Sequence, residues 1–593
     1  MQKLIEDWLA IDVNPTTRAL ITDLAKDTVS NYETLNDLLG KRIVFGTAGL
    51  RARMEAGFSR MNDVTVLQAS QGLAEYIKST VDDSASLSIV IGHDHRYNSK
   101  RFAELAIAVF ISKGFQVYYI GDNNCATPMV PFAVDKYSTN GGIMITASHN
   151  PKDDNGYKVY WNNGCQIIPP HDSNIQNSIL DNLTPILNKD DGWNTDIYMK
   201  SDKLIYCFEE VVNSYVDYLK KSLFKDEGEI DFKFVYTAMH GVGYEFVEKL
   251  LKSVTPNENF VKVEGQCSPD PDFPTVKFPN PEENGALKLA TETADKHNVN
   301  LVLANDPDAD RFTAAFKSSK ENKWIQLSGN EIGILFADYV ISLQDPSKLD
   351  KLYILNSTVS SRFIGSMAKK LGFNFKDTLT GFKWIGNEAI DLENQGFQVP
   401  FAYEEAIGFM FKTIHDKDGM AALLMFLQLY QKLIKEGLDP VAKLEQLYEK
   451  FGYFKQYNGY YITEKPNTIK DIFDNVIRSN DSSIPYPKTL GDFSVIEWRD
   501  LTIGYDSTAE DNKPELFVDP TSQMITCTLA TGAENESIRF TARGSGTEPK
   551  LKVYIEAQAS NEKRSLELAE QVWVLLREEW FQPGKHELIE RRV

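Results

Sequence analysis

Short apolar runs alternate with amphipathic segments along much of this chain. The run 87–92 is apolar and ends in glycine, which is typical of a buried strand. Residues 99–114 follow with helical spacing, a serine at the start and a glycine at the end, which predicts a helix. Two more strands are predicted at 115–121 and 141–148. This alternation favours layers of helices on a mainly parallel sheet.

The same pattern begins again further along the chain. Strand, loop and helix are predicted in 232–252 and again in 351–372, and a strand running into an acidic loop in 299–312. The polar, turn-rich segment around 180–210 is a candidate domain boundary, and "HDKDG" (415–419) is typical of a turn.

The C-terminal part differs from what precedes it. Residues 537–558 predict two strands joined by a loop, and 562–580 predict a helix after them. The sequence therefore predicts three α/β units followed by a smaller α+β region, without a strict repeat. A length of 593 residues fits about four domains.

The net charge of the chain limits the kinds of molecule that it is expected to bind. The chain carries 63 Lys and Arg against 84 Asp and Glu, a formal net charge of -21. That balance argues against nucleic acid or an anionic membrane as the main partner. An anionic substrate would need a local basic island, because the field of the whole molecule repels it.

The expected environment is reducing. Five widely spaced cysteines form no CxxC pair and no metal-binding spacing. The N-terminal "MQKLIEDWLAID" lacks the apolar stretch of a secretory signal. The longest apolar run is about ten residues, against the ~20 that a membrane span needs. We expect a cytoplasmic, soluble protein, and a monomer, with a dimer as the alternative.

An acidic motif is the strongest chemical signal. In "NDPDADR" (305–311), Asp306, Asp308 and Asp310 alternate directly after an apolar strand. Crowded carboxylates repel one another unless a cation lies among them. Hard oxygen ligands without His or Cys favour Mg²⁺. The alternative is an acidic turn or helix cap.

A second motif, "RGSGTEPK" (543–550), has the composition of a phosphate-binding loop. Its glycines allow backbone amides to approach an anion, and Arg543, Ser545 and Thr547 supply side-chain donors. Lys552 adds a positive charge nearby. A hairpin loop rich in turn residues is an equally acceptable interpretation.

The stretch "ITASHNPKDDNGYKVY" (145–160) places Ser148 just beyond a predicted strand. It is either an ordinary turn or a reactive serine on a loop. A serine hydroxyl is a poor nucleophile at neutral pH without a partner. As a phosphoserine it would add about -2 of charge, which a cation held by the three aspartates would neutralise.

Other polar residues are weaker candidates. Arg51 ends a stretch, 41–51, that is typical of a glycine-punctuated loop, and Arg96 follows a predicted strand. Either could face an anion, although each is more often structural. Lys383 lies at the start of a predicted helix. Glu404 and Glu405 lie in an apolar segment and need partners there, either sugar hydroxyls or a salt bridge.

Four motifs in order, "TASHNP", "NDPDADR", "YEEAIG" and "RGSGTEP", resemble those of the α-D-phosphohexomutase superfamily. The resemblance spans essentially the whole chain. "FGTAGLR", "GFSRMN", "GHDHR" and "NGCQIIPPHD" are similar to its phosphopentomutase/phosphoglucomutase-2 branch in particular.

The resemblance implies an α/β fold of four domains around one cleft: three related mixed α/β domains and a C-terminal α+β domain like the TATA-box-binding protein. Each domain would contribute one loop. The implied domains are 1–205 with the phosphoserine loop, 206–325 with the metal loop, 326–455 with the sugar loop and 456–593 with the phosphate loop.

The resemblance also implies residue roles. Ser148 would carry the phosphoryl group and, with Asp306, Asp308 and Asp310, would hold Mg²⁺. The remaining residues would act in catalysis or bind the substrate. Lys158 and, as a second candidate, Lys383 would act as general acid and base; Arg51, His149 and Arg311 would line the reaction centre, with His149 as a charge partner; Glu404 and Glu405 would bind sugar hydroxyls; Arg543, Ser545, Gly546, Thr547 and Lys552 would hold the distal phosphate.

The implied activity is a phosphomutase that interconverts a sugar 1-phosphate with its 5- or 6-phosphate through a sugar bisphosphate, which also serves as activator. Relatives specific for hexoses usually have serine where this chain has Ala406. We therefore expect pentose phosphates, ribose or deoxyribose, as preferred substrates and glucose phosphate as secondary. Lys552 occupies a position where the family often has arginine. A lysine cannot make the bidentate contact with a phosphate that an arginine makes.

Four alternatives remain at this point. One is a glucose-1,6-bisphosphate synthase with nearly identical motifs, and another is a phosphoglucomutase proper. A third is an inert sugar-phosphate-binding scaffold, which the presence of Ser148 and the aspartates disfavours. The last is a Mg²⁺ phosphatase, which would not need a clamp for both ends of a bisphosphate.

Overall fold

The fold is seen in a computed structural model. It describes residues 1–46, 49–82, 86–121, 123–225, 229–252, 254–318, 322–463, 465, 467–478, 484–544 and 550–592. The strands, in chain order, are β1 (Gly49–Arg53), β2 (Ser88–His93), β3 (Gln116–Tyr119), β4 (Gly141–Ile145), β5 (Asp154–Trp161), β6 (Leu204–Tyr206), β7 (Phe234–Thr237), β8 (Phe260–Lys262), β9 (Leu301–Asn305), β10 (Phe312–Lys317), β11 (Trp324–Gln326), β12 (Leu352–Ser357), β13 (Asn374–Thr378), β14 (Gln398–Glu404), β15 (Gly408–Phe411), β16 (Tyr453–Gln456), β17 (Gly459–Ile462), β18 (Thr489–Leu490), β19 (Phe493–Asp500), β20 (Tyr505–Asp506), β21 (Met524–Ala530), β22 (Ser537–Gly544), β23 (Lys550–Ala559) and β24 (Ile589–Arg592).

The α-helices are α1 (Gln2–Ile11), α2 (Pro15–Leu24), α3 (Tyr32–Leu39), α4 (Asp63–Thr80), α5 (Ser99–Ser112), α6 (Met129–Tyr137), α7 (His171–Asp181), α8 (Phe208–Leu223), α9 (Gly243–Leu251), α10 (Lys288–His297), α11 (Gly329–Ser342), α12 (Phe363–Leu371), α13 (Phe382–Asn394), α14 (Gly419–Glu436), α15 (Pro440–Phe451), α16 (Thr468–Ile472), α17 (Glu562–Leu575) and α18 (Pro583–His586). Among the described residues, each helix is too short or too polar to span a lipid bilayer.

The chain divides into two compact units. The first comprises Met1–Val340 and Gly381–Asp439, and the second comprises Ile341–Thr380 and Pro440–Val593. The four domain boundaries expected from the resemblance stay predictions.

The first sheet of the first unit has the strand order β1-β5-β4-β2-β3-β6. Strand β2 runs parallel to β3 and β4, whereas β5 is antiparallel to both β4 and β1. All residues of β4 are buried, which explains its unbroken apolar run "GGIMI". The carboxyl ends of β2 and β4 lie side by side, so the segments beginning at Asp94 and Thr146 leave the sheet at one edge.

The second sheet has the order β11-β10-β9-β7-β8. Strand β9 is parallel to β7 and antiparallel to β10, and all its residues are buried. The acidic loop Asp306–Arg311 connects β9 directly to β10. In the same unit, β14 and β15 form an antiparallel hairpin in which Glu404 faces Gly408.

The second unit contains the parallel pair β12 and β13 and a β-rich C-terminal sheet. In that sheet β22 and β23 form the predicted hairpin, with Arg543 opposite Lys552. Its core includes Trp498 and Trp573, each almost fully buried. The predicted hairpin is confirmed, and the C-terminal helix begins at Glu562 as expected but its α-helical part ends at Leu575.

One expectation from the sequence was wrong. Arg51 does not end a loop, because it lies within β1 and pairs with Gly156 of β5. Within the candidate boundary 180–210, Leu187 and Trp193 are buried in the same apolar cluster as Trp8, and the boundary itself stays a prediction. The polar composition of this segment gave no indication that two of its apolar side chains are buried in a core.

Gly156 allows β5 to approach the end of β4. A Cβ atom at this position would lie 2.5 Å from the backbone oxygen of Thr146, two residues before Ser148. We expect Gly156→Ala to lower the free energy of unfolding by about 1–3 kcal/mol, because backbone must move to admit the methyl group. Thermal unfolding measures the change.

The control for this variant is Gly265→Ala, whose Cβ would meet only a leucine methyl group at 3.7 Å. It should change stability by no more than about 0.5 kcal/mol. Equal melting temperatures for the two variants would contradict the close approach at Gly156.

Candidate active site

Ser148 lies three residues beyond β4 and is 3 % exposed. Its backbone N–H donates to Thr146 Oγ1 at 2.9 Å, and the Thr146 hydroxyl donates to Asp94 Oδ2 at 2.6 Å. Asp94 follows β2 and also accepts from the Ser99 hydroxyl at 2.6 Å. A buried polar network thus ties the serine loop to the end of the neighbouring parallel strand.

Arg96 holds the other side of the serine loop. Its side chain is fully buried and donates to the backbone carbonyls of the loop: Ser148 at 2.5 Å, Asn150 at 2.7 Å, Pro151 at 2.8 Å and Asp154 at 3.3 Å. Its Nε lies 3.3 Å from Asp94 Oδ2, and the guanidinium lies 5.1 Å from the centre of the Phe273 ring. Of the two roles open from the sequence, the structure assigns Arg96 the structural one.

The aspartates of the acidic loop are brought together as predicted. Asp306, Asp308 and Asp310 are fully buried, and one carboxylate oxygen from each lies within 4.8 Å of the others. The Ser148 hydroxyl donates to Asp306 Oδ2 at 2.8 Å. Lys158, on β5, donates to Asp308 Oδ2 at 2.8 Å and to Asp310 Oδ2 at 3.0 Å. The serine, the lysine and the acidic loop therefore form one cluster.

The pKa values of the aspartates show how strongly the charges of this cluster interact. Burial, together with the charges of Asp308 and Asp310, raises the pKa of Asp306 well above its usual value. Burial would also raise the pKa of Asp308, but the positive charge of Lys158 lowers it well below its usual value. Asp308 Oδ1 and Asp310 Oδ1 are buried and accept no hydrogen bond from the described residues. These oxygens have the chemistry that a hard divalent cation requires.

Lys417 is a site residue that the sequence analysis missed. Its ammonium lies 2.8 Å from Asp310 Oδ2, and the carboxylates of Asp310 and Asp416 raise its pKa against the opposing effect of burial. Asp416 accepts from the hydroxyl of Tyr160 at 2.9 Å, and Asp418 caps α14. The segment "HDKDG" is therefore more than a turn: its flanking aspartates fix a lysine against the acidic loop.

Three more predicted residues lie at this cluster. The Arg311 N–H donates to Asp306 Oδ1 at 2.9 Å, and Arg51 Nη1 donates to Asn150 Oδ1 at 3.2 Å. His149 Nδ1 is 3.3 Å from Ser148 Oγ. Burial and the nearby charges of Arg311 and Arg51 lower the pKa of His149 well below its usual value. The expected role of His149 as a charge partner stays a prediction.

The predicted sugar loop, 404–408, begins at the last residue of β14. Glu404 Oε1 accepts from the backbone N–H of Gly381 at 2.8 Å, and Arg311 Nη1 donates to the carbonyl of Ala406 at 3.1 Å. Arg311 and Gly408 also form a β-bridge, so backbone hydrogen bonding connects the predicted sugar loop with the acidic loop. Glu405 is half-buried beside Glu404. Lys383, on the first turn of α13, has its ammonium 4.9 Å from the Trp384 ring centre.

The predicted phosphate loop belongs to the second unit. Arg543 lies at the end of β22 and donates through Nη1 to the hydroxyl of Thr380. Lys552 is an exposed residue of β23, opposite Arg543. Ser545, Gly546 and Thr547 lie outside the described residues, so the predicted contacts of these three residues stay predictions.

Backbone conformation marks the same loops. Ser148 (φ 53°), Ala309 (φ 58°) and Ile407 (φ 53°) all adopt the left-handed region. This region is uncommon for residues other than glycine and is an outlier for a β-branched side chain. Such conformations persist only where surrounding contacts enforce them, and they cluster at functional sites.

Family comparison now identifies this arrangement. Residues 42–184, 213–319 and 328–451 match the models for α/β/α domains I, II and III of phosphoglucomutase/phosphomannomutase. The chain belongs to this family. The resemblance to the α-D-phosphohexomutases and the three α/β domains with a β-rich C-terminal region are confirmed, and the chain is a phosphomutase.

Individual relatives match nearly the full length. The chain is 49 % identical to a phosphoribomutase of Saccharomyces cerevisiae, over 98 % of this chain and 96 % of that one. It is 42 % identical to a phosphopentomutase of Homo sapiens, over 98 % of this chain and 96 % of that one. It is 39 % identical to a glucose 1,6-bisphosphate synthase of Homo sapiens, over 99 % of this chain and 96 % of that one.

A solved structure supports the fold alone. A putative phosphomannomutase from Thermus thermophilus superposes with a TM-score of 0.63 at 17 % identity, covering 91 % of this chain and 98 % of that one. At that identity, the comparison gives no information on the substrate.

Arg96 gives a direct test of the serine loop. We expect Arg96→Lys to lower the free energy of unfolding by roughly 3 kcal/mol and to reduce turnover. The single ammonium group of lysine cannot replace a guanidinium that donates hydrogen bonds to several buried carbonyl groups. Calorimetric unfolding and a phosphomutase assay measure the two effects.

Arg101→Lys is the matched control. Arg101 is on α5 in the same unit, but its side chain is 30 % exposed and pairs with Asp63 at 3.2 Å. It should lose no more than about 1 kcal/mol. If Arg96→Lys behaved like this control, the carbonyl contacts would not be what holds the loop.

Proposed function

We propose that this phosphomutase interconverts pentose 1-phosphates and pentose 5-phosphates. The observation that carries the proposal is the 2.8 Å hydrogen bond between Ser148 Oγ and Asp306, within a buried cluster of three carboxylates. That arrangement suits a serine that carries a phosphoryl group beside a divalent cation. The 49 % identity with a phosphoribomutase supports the pentose as substrate.

Mg²⁺ fits the acidic loop best, with Asp306, Asp308 and Asp310 as protein ligands and Ser148 beside them. Their donors are all hard oxygens, and two of these oxygens accept no hydrogen bond within the described part of the chain. When bound, the ion would neutralise phosphoryl charge and act as a Lewis acid.

The chain's own residues would divide the reaction between them. Ser148 Oγ gives its phosphoryl group to a hydroxyl of the sugar monophosphate; the serine P–O bond breaks as the new sugar P–O bond forms. Lys158 would exchange the proton of that hydroxyl, with Lys383 as a second candidate. Arg51 and Arg311 would bind phosphoryl oxygens, and His149 would line the reaction centre beside Ser148.

The bisphosphate formed in this way would turn around and return its other phosphate to Ser148. Glu404 and Glu405 would bind the sugar hydroxyls in both orientations. Arg543, Lys552 and the hairpin residues Ser545, Gly546 and Thr547 would hold the distal phosphate. The same bisphosphate, supplied from outside, would load Ser148 and act as activator.

Uncatalysed reactions of phosphate monoesters are among the slowest known, with enhancements that reach ~10²¹. Positioning and fixed charge must supply most of that acceleration. The buried network at Ser148 and the cationic side chains Lys158, Lys417 and Arg311 are the parts of this site that would do so. The positive charges of these side chains would offset the buried carboxylates of the site, which an anionic substrate needs in a chain of net charge -21.

Substrate choice separates the pentose proposal from its alternatives. Ala406 lacks the hydroxyl that hexose-specific relatives present, so one contact to a larger sugar would be missing. A glucose 1,6-bisphosphate synthase is the second candidate, favoured by a relative 39 % identical over almost the whole chain. Monomeric state and a cytoplasmic location stay predictions.

A kinetic comparison tests the proposal. With ribose 1-phosphate and glucose 1-phosphate assayed side by side, each with its bisphosphate activator, we expect kcat/KM at least about tenfold higher for ribose, which is about 1.4 kcal/mol of transition-state binding. Ser148→Ala should abolish turnover of both sugars while the protein stays folded.

Each other outcome has a distinct meaning. A preference for glucose 1-phosphate would reject the pentose proposal and favour phosphoglucomutase. Net accumulation of a sugar bisphosphate from a separate phosphoryl donor would favour the synthase. Undiminished turnover by Ser148→Ala would reject the phosphoserine itself.

A further inference from the structure

The short segment between β3 and α6 contacts the acidic loop, although no motif draws attention to it. Thr127 precedes Pro128 just before α6 and is 1 % exposed. Its backbone N–H donates to the carbonyl of Asp308 at 2.9 Å, and its hydroxyl donates to Asp308 Oδ2 at 2.7 Å. Two hydrogen bonds from one residue therefore hold both the backbone and the side chain of Asp308.

The two oxygens of Asp308 have different surroundings. Oδ2 accepts from Thr127 and from Lys158, at 2.7 and 2.8 Å. Oδ1 is buried and accepts no hydrogen bond within the described part of the chain. A carboxylate with one oxygen saturated by protein donors presents the other to a cation. The rotation of this carboxylate about its Cβ–Cγ bond thus determines which oxygen is available.

Lys158 alone cannot fix that rotation. Its ammonium is shared with Asp310 Oδ2 at 3.0 Å, and it lies at the end of a long flexible side chain. Thr127 is different because its β-branched side chain has a restricted χ1 and its backbone is tied to the same residue. The threonine hydroxyl is therefore the rigid donor of the pair.

The segment that carries Thr127 is itself anchored to the serine side of the site. The Cys125 N–H donates to the carbonyl of His93, the last residue of β2, at 2.9 Å. The next residue, Asp94, accepts from Thr146 in the serine loop. Hydrogen bonds and two short covalent steps, His93 to Asp94 and Cys125 to Thr127, therefore connect Ser148 with Asp308 through the end of β2.

We propose that Thr127 is a positioning residue for the cation site: its hydroxyl orients the carboxylate of Asp308 so that Oδ1 faces the divalent ion. The inference rests on the proposed Mg²⁺ role of the acidic loop. Outer residues that orient metal ligands typically contribute about 10–100-fold to metal affinity. Removal of this hydroxyl should therefore weaken cation binding without removing any ligand.

The test measures cation binding directly, by the loss of free Mn²⁺ signal in electron paramagnetic resonance and by Mg²⁺ competition. Thr127→Val keeps the shape of the side chain and removes the donor; we expect about a tenfold rise in the dissociation constant. Thr127→Ser keeps the hydroxyl and should recover most of the affinity. The Mg²⁺ concentration for half-maximal turnover should shift in parallel.

A matched control measures the effect on stability of removing a buried threonine hydroxyl whose hydrogen bond goes to a residue outside the acidic loop. Thr139 lies at the other end of α6, is equally buried and donates to the carbonyl of Gly141 at 3.0 Å. Thr139→Val should match Thr127→Val in its loss of thermal stability in the absence of metal. It should bind Mn²⁺ with wild-type affinity.

The outcomes separate this inference from the proposed function. Equal Mn²⁺ affinity in wild type and Thr127→Val would reject the role of Thr127 and leave the cation site intact. Failure of Thr127→Ser to recover affinity would also reject it. Absence of Mn²⁺ binding in wild type, or binding that survives Asp308→Asn unchanged, would reject the cation site and the role of Thr127 together.

Discussion

Three carboxylates buried within 4.8 Å of one another are the constraint on which the site depends. At an effective dielectric constant of about 20, each pair of charges at that separation repels by roughly 3 kcal/mol. Lys158 and Lys417 offset part of this repulsion, and the backbone N–H of Arg311 binds one oxygen. The remaining acceptors suit a divalent cation, and the serine that would carry phosphate lies directly against them.

That cluster explains why distant segments of the chain must be held so firmly. The acidic loop leaves β9, the serine loop leaves β4, and Lys417 precedes α14. The first two are fixed by buried hydrogen bonds as well as by apolar contact, from Thr127 to the acidic loop and from Arg96 to the serine loop, and Lys417 is held by its ion pair with Asp310. Preorganised charge of this kind is what phosphoryl transfer requires, since the protein contributes little covalent chemistry beyond the serine.

Local patterns predicted the strands, the serine loop and the acidic triad, because apolar runs and neighbouring polar residues are visible within a short stretch of sequence. They did not predict Lys417 or Thr127, whose roles exist only through contacts with residues far away in the chain. Lys417 could have been noticed as a lysine between two aspartates just before a long apolar helix. Thr127 carries no such signal. Arg51 was assigned to a loop because the glycines near it obscure the pattern of a strand.

The central claim is that Ser148 carries phosphate at the acidic cluster. The most direct measurement is rapid-quench labelling with isotopically labelled ribose 1,5-bisphosphate, followed by peptide mapping and a chase with unlabelled ribose 1-phosphate. We expect stoichiometric label on the peptide that contains Ser148, and transfer of that label to sugar phosphate at the rate of turnover. Label on another residue, or label at Ser148 that the chase does not remove, would contradict it.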